Sequence, residues 1–324
     1  MTTKKILVLR FSSIGDIVVT TPIIRALKTQ IDAEIHFLVK DKFKQTVITN
    51  PYIDKLYTFK KETSECISQL KDENYNLVVD LHKNLRTSKL KLQLGKPAYS
   101  FNKLNISKWL LTKFHINLMP RGIHLVDRYF ESLAALGIFN DGQGLDYFIT
   151  PEDDFFGREF QKNTGEYTVL VLGATHYTKR IPESLCEKII ANIAHPVVLL
   201  GGNDVTSVSE ALMKKFKHLH NYTGKISLNQ SSAIIKYAEN VICPDTGLMH
   251  IAAAFNKKIE MYWGSTDPIL GMYPYMPQEN PSEVKHHLVK NLHCRPCTKI
   301  GNSKCPKGHF KCMLEQTVSL SSLD

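Results

Sequence analysis

The 324-residue sequence has no apolar run approaching the roughly 20 residues that a membrane-spanning helix needs. Its N-terminus also lacks the apolar core of a secretory signal, because Arg10 interrupts the first short hydrophobic run. From these two absences we expect a cytoplasmic protein whose seven cysteines are reduced rather than paired.

Three nucleotide-binding signatures are missing as well. The chain contains no G-x-G-x-x-G fingerprint, no G-x-x-x-x-G-K-[ST] loop and no Asp-x-Asp pair of the kind that holds a divalent metal on a diphosphate. The first absence disfavours a Rossmann-type oxidoreductase. Because the Asp-x-Asp pair is missing, the chain's own cations and helix ends must neutralise any bound diphosphate without a metal ion.

What the sequence does have is an excess of positive charge, with a formal net charge of +10. Most of its basic clusters lie before residue 130, so the first half attracts anions. Nucleic acid, an anionic membrane surface and a phosphorylated substrate all fit that sign. Because no aromatic-interleaved RNA-binding signature accompanies the lysines, we do not expect a nucleic-acid partner, and a solvated surface is the simplest interpretation of the charge itself.

Buried-strand patterns alternate with helix patterns along the whole chain. The predicted strands are residues 6–9, 34–39, 55–59, 77–81, 98–101, 167–172, 197–200, 240–243 and, as the final strand, 258–263. The predicted helices are residues 17–29, 62–72, 85–94, 107–114, 125–136, 155–162, 182–193, 205–216, one opening at 227 and 247–255. A turn-rich acidic stretch at 140–154 separates two such series. We therefore predict an α/β fold with two Rossmann-like parallel-sheet domains, residues 1–150 and 151–324, facing a central cleft.

A single carboxylate stands where the first strand gives way to a helix. The apolar residues 6–9 are followed by the segment FSSIGD, in which Gly15 permits a tight turn before Asp16. Ligands bind at the carboxyl ends of strands in open α/β sheets, so Asp16 is a candidate general base. The alternative is that Asp16 only caps the following helix, and the local pattern by itself favours the cap.

A second junction, CPDTGLMH at residues 243–250, compresses several polar groups into one strand-to-helix turn. Unpaired amides at a helix start attract anions, and the small Thr246 and Gly247 let phosphate oxygens approach. His250 lies about one turn further on, where it faces the same ligand or packs in the core. An Asp-capped helix with a buried histidine is the alternative, but this concentration of polar types favours a ligand site.

Two further loops follow strands of the second half. Residues 173–180 carry Lys179 and Arg180, either of which could hold a phosphate. Residues 201–204, Gly-Gly-Asn-Asp, suit a nucleoside's ribose and base. Simple surface solvation is the alternative for both loops, since neither pattern is specific by itself.

The tail contains four cysteines, Cys294, Cys297, Cys305 and Cys312, with His293 and His309 nearby. A Cys-x-x-Cys pair followed by two more cysteines suggests a structural zinc site in a cytosolic protein. The later pair lacks the tight spacing of a standard zinc ribbon, so we favour reduced structural cysteines over zinc.

Taken together, several segments in order resemble those of glycosyltransferase family 9, the ADP-heptose:lipopolysaccharide heptosyltransferases. They are ILVLRFSSIGDIVVTTPIIRALK, HLVDRYFESLAALGI, the lysine loop LGATHYTKRIP, CPDTGLMHIAAAF with GSTDP, and the cysteine-bearing CRPCTKIGNSKCPKGHFKCM. The resemblance spans nearly the whole chain. It implies a GT-B fold whose N-terminal domain binds the acceptor and whose C-terminal domain binds the sugar nucleotide.

The resemblance also implies a reaction, with no cofactor: inverting, metal-independent transfer of a heptose from ADP-heptose to a lipopolysaccharide-core acceptor. Asp16 matches the catalytic base, with Ser13 and Gly15 on the acceptor side, and Lys179 matches the residue on the donor diphosphate. The residues that match the donor-binding positions are Gly173, Asp204, Asp245, Thr246, Gly247, Leu248 and His250. Asp204 is the weakest match, because the family often has glutamate there.

With a donor site expected across the cleft, we take Asp16 as the base rather than as only a cap. The basic first half suits an anionic glycan acceptor, and we expect peripheral contact with the cytoplasmic face of the inner membrane. Two alternatives use the same fold: a glycosyltransferase with a different nucleotide-sugar donor or acceptor glycan, and a non-catalytic nucleotide-binding protein. The presence of Asp16 disfavours the second.

Overall fold

The computed structural model describes residues 4–318. Its strands are β1 (Lys4–Leu9), β2 (Ala33–Lys40), β3 (Lys55–Phe59), β4 (Leu77–Asp80), β5 (Ala98–Ser100), β6 (Thr168–Val171), β7 (Val197–Leu200), β8 (Leu219–Asn221), β9 (Asn240–Pro244), β10 (Lys258–Tyr262) and β11 (Val284–His287). Its α-helices are α1 (Ile14–Val18), α2 (Thr21–Gln30), α3 (Ile67–Asp72), α4 (Leu85–Leu94), α5 (Asn105–Phe114), α6 (Leu125–Glu131), α7 (Pro151–Thr164), α8 (Glu183–Ile190), α9 (Thr206–Lys215), α10 (Leu228–Tyr237), α11 (Gly247–Ala254) and α12 (Lys311–Leu314). Short 3-10 helices lie at Asp41–Thr46, Thr63–Glu65, Ala134–Leu136, Tyr177–Lys179, Asn203–Val205 and Pro268–Leu270.

The chain divides into two compact units, each built on one parallel sheet. The first unit holds a five-stranded sheet in the order β3-β2-β1-β4-β5, and the second holds a six-stranded sheet in the order β11-β10-β9-β6-β7-β8. All strand pairs in both sheets are parallel. The strands predicted from buried apolar runs are thus present, and both sheets are of the α/β type.

The units differ from the predicted division at residue 150 in two segments. The first unit comprises the chain up to Lys103 together with Ile123–Phe148 and Tyr275–Glu279, and the rest forms the second unit. Leu104–Gly122, which we call the α5 segment, joins the second unit because Leu111 and Met119 pack with Leu270 in a small apolar cluster.

The short segment Tyr275–Glu279 belongs to the first unit through polar contacts. The Tyr275 hydroxyl donates to Asp127 at 2.9 Å and accepts from the Asn140 side-chain amide at 2.6 Å. The backbone amide of Gln278 donates to the carbonyl of Gly142 at 2.8 Å. These contacts join residues that are far apart in the sequence. One boundary in the sequence therefore cannot separate the two units.

The single helix predicted for residues 17–29 is wrong, because the chain breaks between α1 and α2. Pro22 has no N–H and so cannot donate to the carbonyl of Val18, which a continuous helix would require. The hydroxyl of Thr21 donates to that carbonyl instead at 2.8 Å, and Thr20 does the same for Ile17 at 2.6 Å. The hydroxyls therefore satisfy the carbonyls that the break exposes.

Two edge strands, β8 and β11, were not predicted, so residues 258–263 are not the final strand of the chain. β8 pairs only with β7, and β11 pairs only with β10, within the described residues. Both are short and contain half-buried polar side chains, so neither shows the apolar run of a central strand.

No α-helix among residues 4–318 combines the length and the apolar character that crossing a membrane would require.

Candidate active site

Each sheet reverses its direction of growth once, and the candidate residues lie at these two reversals. In the first unit the chain grows outward from β1 to β3 and then returns to place β4 on the other side of β1. In the second unit the reversal falls between β6 and β9. The crevice at such a switch point, outside the carboxyl ends of the strands, is where open α/β sheets bind ligands.

Asp16 lies at the first-unit switch point, in the first turn of α1, and both of its carboxylate oxygens have polar partners. Oδ2 accepts from the backbone amide of Ser13 at 3.2 Å and from its hydroxyl at 2.8 Å, while Oδ1 forms an ion pair with Nη2 of Arg10. Asp16 therefore does contribute to capping α1. Its side chain nevertheless keeps 30% of its surface exposed, so capping leaves the carboxylate reachable from solvent.

Arg10 is held almost entirely inside the protein by neutral acceptors. Its Nε donates to the carbonyl of Ser12 at 2.9 Å, and Nη1 donates to the carbonyl of Leu81 and to the Tyr129 hydroxyl. Burial acts to lower the pKa of Arg10, but Asp16, Tyr129 and Asp80 together more than offset it, and the pKa lies above its ordinary value. A permanently charged, rigidly held guanidinium therefore positions the Asp16 carboxylate.

His82 follows β4 beside this cluster and is neutral at physiological pH. Burial, with the positive charge of Arg10 as the next cause, lowers its pKa to about 4. Its ring packs against Phe11 with 4.9 Å between ring centroids. His82 therefore adds no positive charge beside the Arg10–Asp16 ion pair.

The second-unit switch point brings together loops that follow three strands. Lys179, from the loop after β6, lies with its Nζ 2.9 Å from Oδ2 of Asp245, which follows β9. The hydroxyl of Thr266, which follows β10, donates to the same oxygen at 2.8 Å. We call these three residues the Lys179 cluster. The side chains of Lys179 and Asp245 are mostly buried, at 14% and 13% exposed, so the pair is well ordered.

The start of α11 lies directly after Asp245. Thr246 is the N-cap residue, and Thr246, Gly247 and Leu248 are all half-buried, so this helix start is partly open to solvent. His250 is only 2% exposed and therefore lies in the interior in this structure. Its contact with a bound ligand stays a prediction.

Arg180 links the lysine loop to the third candidate loop. Its guanidinium forms an ion pair with Asp204, and its Nε donates to the carbonyl of Ala174 at 3.0 Å. Gly173 begins the lysine loop where a side chain has little room, since a Cβ there would lie 3.3 Å from Cα of Gly201. The ends of β6 and β7 can therefore pack closely, and Asp204 is joined to the Lys179 loop through Arg180.

The cysteine-bearing tail forms hydrogen bonds with the two loops that carry Lys179 and Thr266. The backbone amide of Asn302 donates to the Thr178 hydroxyl at 2.8 Å, and Nε of Arg295 donates to the carbonyl of Thr266 at 3.1 Å. Gly301 has φ +103°, and a Cβ there would lie 2.5 Å from Cβ of His176 and 2.9 Å from Cδ of Lys179, so glycine lets the tail approach this loop. The tail thus fixes both loops that contribute to the cluster.

The tail cysteines are free thiols that line one small pocket together with His309. Sγ of Cys294 lies 3.8 Å from Nε2 of His309. Over residues 4–318, only Glu34, His36 and Glu73 form a His, Cys, Asp or Glu trio whose ligand atoms all lie within 4.8 Å of one another. The four cysteines and His309 are therefore neighbours around one pocket, and the preference for reduced cysteines over zinc stays a prediction.

Sequence reasoning missed two contributors to these clusters. Arg10 entered only as a charge in the N-terminal run, although a cation that directly follows a wholly apolar strand is a usable signal of a buried ion pair. Thr266 stood inside the quoted segment GSTDP but received no role.

Comparison with known proteins identifies the family. The sequence model of glycosyltransferase family 9 (heptosyltransferase) matches residues 64–306. The chain belongs to glycosyltransferase family 9. As a family 9 member it is a glycosyltransferase, which confirms the enzyme class expected from its motifs.

Individual family 9 relatives are distant in sequence but similar over most of their length. Lipopolysaccharide heptosyltransferase 1 of Campylobacter coli is 23% identical over 296 residues, covering 81% of this chain and 84% of that protein. A family 9 glycosyltransferase crystal structure from Veillonella parvula has a TM-score of 0.70 and 22% identity, covering 87% of this chain and 86% of its own. The structure of Escherichia coli heptosyltransferase WaaC with ADP has a TM-score of 0.68 and 20% identity, covering 87% and 93% respectively. The predicted GT-B fold class, with two Rossmann-like domains, is confirmed.

Proposed function

We propose that this family 9 glycosyltransferase transfers a heptose from ADP-heptose to an acceptor sugar of the lipopolysaccharide core, with inversion at the anomeric carbon. The names of its relatives support the sugar and the acceptor class, and the ADP in the Escherichia coli structure supports the nucleotide. Both proteins share most of their length with this chain.

The observation that carries the proposal is the Lys179 cluster. A mostly buried lysine held 2.9 Å from Asp245, one residue before the N-cap Thr246 of α11, places a positive charge beside the start of that helix. The donor's diphosphate is the ligand that such a combination suits, because both elements stabilise anionic oxygens. Asp245 orients the lysine, which has three N–H donors and can serve a carboxylate and a phosphate together.

On the acceptor side we propose Asp16 as the general base, with Ser13 and Gly15 beside it. A sugar hydroxyl is too weak an acid to lose its proton beforehand, so the proton must move to Asp16 as the oxygen attacks the anomeric carbon. The ion pair with Arg10 and the hydrogen bonds from Ser13 hold the carboxylate in one orientation. Backside attack then inverts the configuration of the anomeric carbon.

On the donor side we propose that the leaving ADP is stabilised without a metal ion. Negative charge grows on the diphosphate as the glycosidic bond breaks, and Lys179 with the amides of Thr246 and Gly247 would meet that charge. Gly173, Asp204, Leu248 and His250 complete the proposed donor-binding set. We propose that Asp204, which pairs with Arg180 on the lysine loop, contacts the ribose.

The proposed acceptor explains the distribution of charge. A lipopolysaccharide core is rich in phosphate and carboxylate, and the basic N-terminal half attracts such a glycan. We propose that the enzyme works at the cytoplasmic face of the inner membrane, in peripheral contact with it.

A thermal-shift comparison of nucleotides tests the donor class. ADP at 100 times its dissociation constant should stabilise the protein by about 2.7 kcal/mol, which corresponds to several degrees in Tm. UDP, GDP, CMP and NAD at the same concentration should give much smaller shifts. Adding EDTA should leave the ADP shift unchanged, because the proposed site uses no metal.

Each other outcome of this comparison selects a different hypothesis. A larger shift with UDP or GDP would identify a different donor on the same fold. A shift with ADP but no product from ADP-heptose and a competent acceptor would indicate a non-catalytic nucleotide-binding protein. Loss of the ADP shift in EDTA would contradict the metal-independent site.

A further inference from the structure

Exposed apolar side chains are concentrated in the α5 segment. Among the described residues, five of the fourteen exposed large hydrophobic side chains lie within thirteen consecutive positions. These five are Ile106, Trp109, Phe114, Ile116 and Leu118. Single exposed apolar residues are normal on protein surfaces, but such a cluster marks a surface that meets another apolar phase.

The packing of the segment fixes which side faces outward. Leu111 and Met119 are buried against Leu270, so they anchor the segment to the second unit. At 3.6 residues per turn, Ile106 and Trp109 project from the side of α5 opposite Leu111, and Phe114 is the exposed last residue of the helix. The Trp109 and Phe114 rings contact each other edge to face, with 5.1 Å between ring centroids.

The charge of the segment is of one sign. It contains three cationic side chains, Lys108, Lys113 and Arg121, and no aspartate or glutamate. Lys113 is exposed on the same side of α5 as the apolar residues, and Arg121 is exposed beyond its end. A surface of Trp, Phe and Ile flanked by cations matches the headgroup region of an anionic bilayer, where aromatic rings enter the interface and cations meet lipid phosphates.

We propose that this face of the α5 segment docks the enzyme on an anionic phospholipid surface. The choice of a membrane as the occupant rests on the proposed function, whose acceptor is a lipid-linked glycan. The absence of acidic residues supports it independently, because an anionic surface attracts every charged side chain of the segment.

Tryptophan fluorescence tests the docking directly, because the chain has two tryptophans in opposite environments. Trp263 is 1% exposed, whereas Trp109 is 53% exposed on the proposed face. Vesicles of phosphatidylcholine with 30% phosphatidylglycerol should shift the emission of the full-length protein to shorter wavelength, and brominated lipid should quench it. A Trp109→Phe variant, which retains only Trp263, should show neither change.

Vesicle co-sedimentation then measures the contribution of the face. The double variant Trp109→Ser/Phe114→Ser should bind anionic vesicles at least tenfold more weakly than the parent. Lys113→Gln should weaken binding about fivefold, the loss expected for one cation near an anionic surface. Phe155→Ser is the matched control, since Phe155 is an equally exposed aromatic outside the segment, and it should bind like the parent.

Three outcomes would overturn the proposal. The first is that the parent binds neutral and anionic vesicles equally well. The second is that the double variant binds anionic vesicles as tightly as the parent. The third is that the parent sediments as a dimer and the double variant as a monomer. The last outcome would assign the face to a second copy of the chain. Sugar transfer to a deacylated, water-soluble acceptor separates this proposal from the proposed function. The parent and the double variant should transfer sugar to that acceptor at equal rates. If neither protein transferred any sugar, the proposed function would be contradicted, and not the docking surface.

Discussion

Replacing Asp16 with asparagine is expected to lower the rate of sugar transfer by about 100- to 10,000-fold, the contribution typical of a general base. Asparagine keeps the size of the side chain and can still accept from Ser13, but it cannot take the proton of the acceptor hydroxyl. Steady-state kinetics of ADP release, with saturating donor and acceptor, measures the effect.

Donor affinity in the Asp16→Asn variant should stay within about twofold of the parent, because the proposed donor site lies in the other unit. Asp32→Asn is the matched control: Asp32 is an exposed carboxylate of the same unit, and its loss should leave turnover unchanged. Near-normal turnover by Asp16→Asn would show that Asp16 serves only as a helix cap.

Replacing Lys179 with methionine is expected to lower transfer by about 100- to 1,000-fold, the scale seen when one preorganised donor to a developing anion is lost. The variant loses the cation that would meet the diphosphate, and it leaves Asp245 with Thr266 as its remaining partner in the cluster. An uncompensated carboxylate beside a diphosphate adds repulsion. Calorimetric titration with ADP should therefore show weakened binding as well.

A double variant separates these two causes. In Lys179→Met/Asp245→Asn the leftover charge is gone, so the double variant should lose less ADP affinity than the sum of the two single losses. Lys188→Met is the matched control, because Lys188 is an exposed lysine on α8 of the same unit. Transfer by Lys179→Met at the level of the Lys188→Met control would contradict the proposed donor site.

The central strands of both sheets were predictable because each is buried on both faces. Runs such as Ile6–Leu9 and Val197–Leu200 are apolar throughout, as strands covered by helices on two sides must be. The edge strands β8 and β11 were missed because they are short and carry half-buried polar side chains in place of an apolar run. Pairing with one neighbouring strand, β7 for β8 and β10 for β11, holds each of them in the sheet.

The two candidate sites differ in how much the sequence could reveal. Asp16 and Ser13 are three positions apart, so a local pattern predicts their contact. Lys179 and Asp245 come from distant loops, and they meet only because β6 and β9 are neighbours at the switch point. The sequence of neither loop predicts that the two strands are neighbours. Each loop was therefore recognised separately, and the ion pair between them was not predicted.

The contacts between the cysteine-bearing tail and the Lys179 cluster could not be predicted from the sequence either. The tail's contacts are hydrogen bonds from the Asn302 amide and the Arg295 side chain and a close approach at Gly301, and these depend on loop geometry. The sequence drew attention to the cysteines, whereas the residues that contact the lysine loop are Gly301 and Asn302.

Mass spectrometry of the acceptor after incubation with ADP-heptose tests the central claim most directly. The purified protein, a defined lipopolysaccharide-core acceptor and ADP-heptose should yield an acceptor heavier by one heptose residue, with an equal amount of ADP. The Asp16→Asn variant should yield almost none in the same time. An unmodified acceptor, or one modified only when a different nucleotide sugar is supplied, would contradict the account.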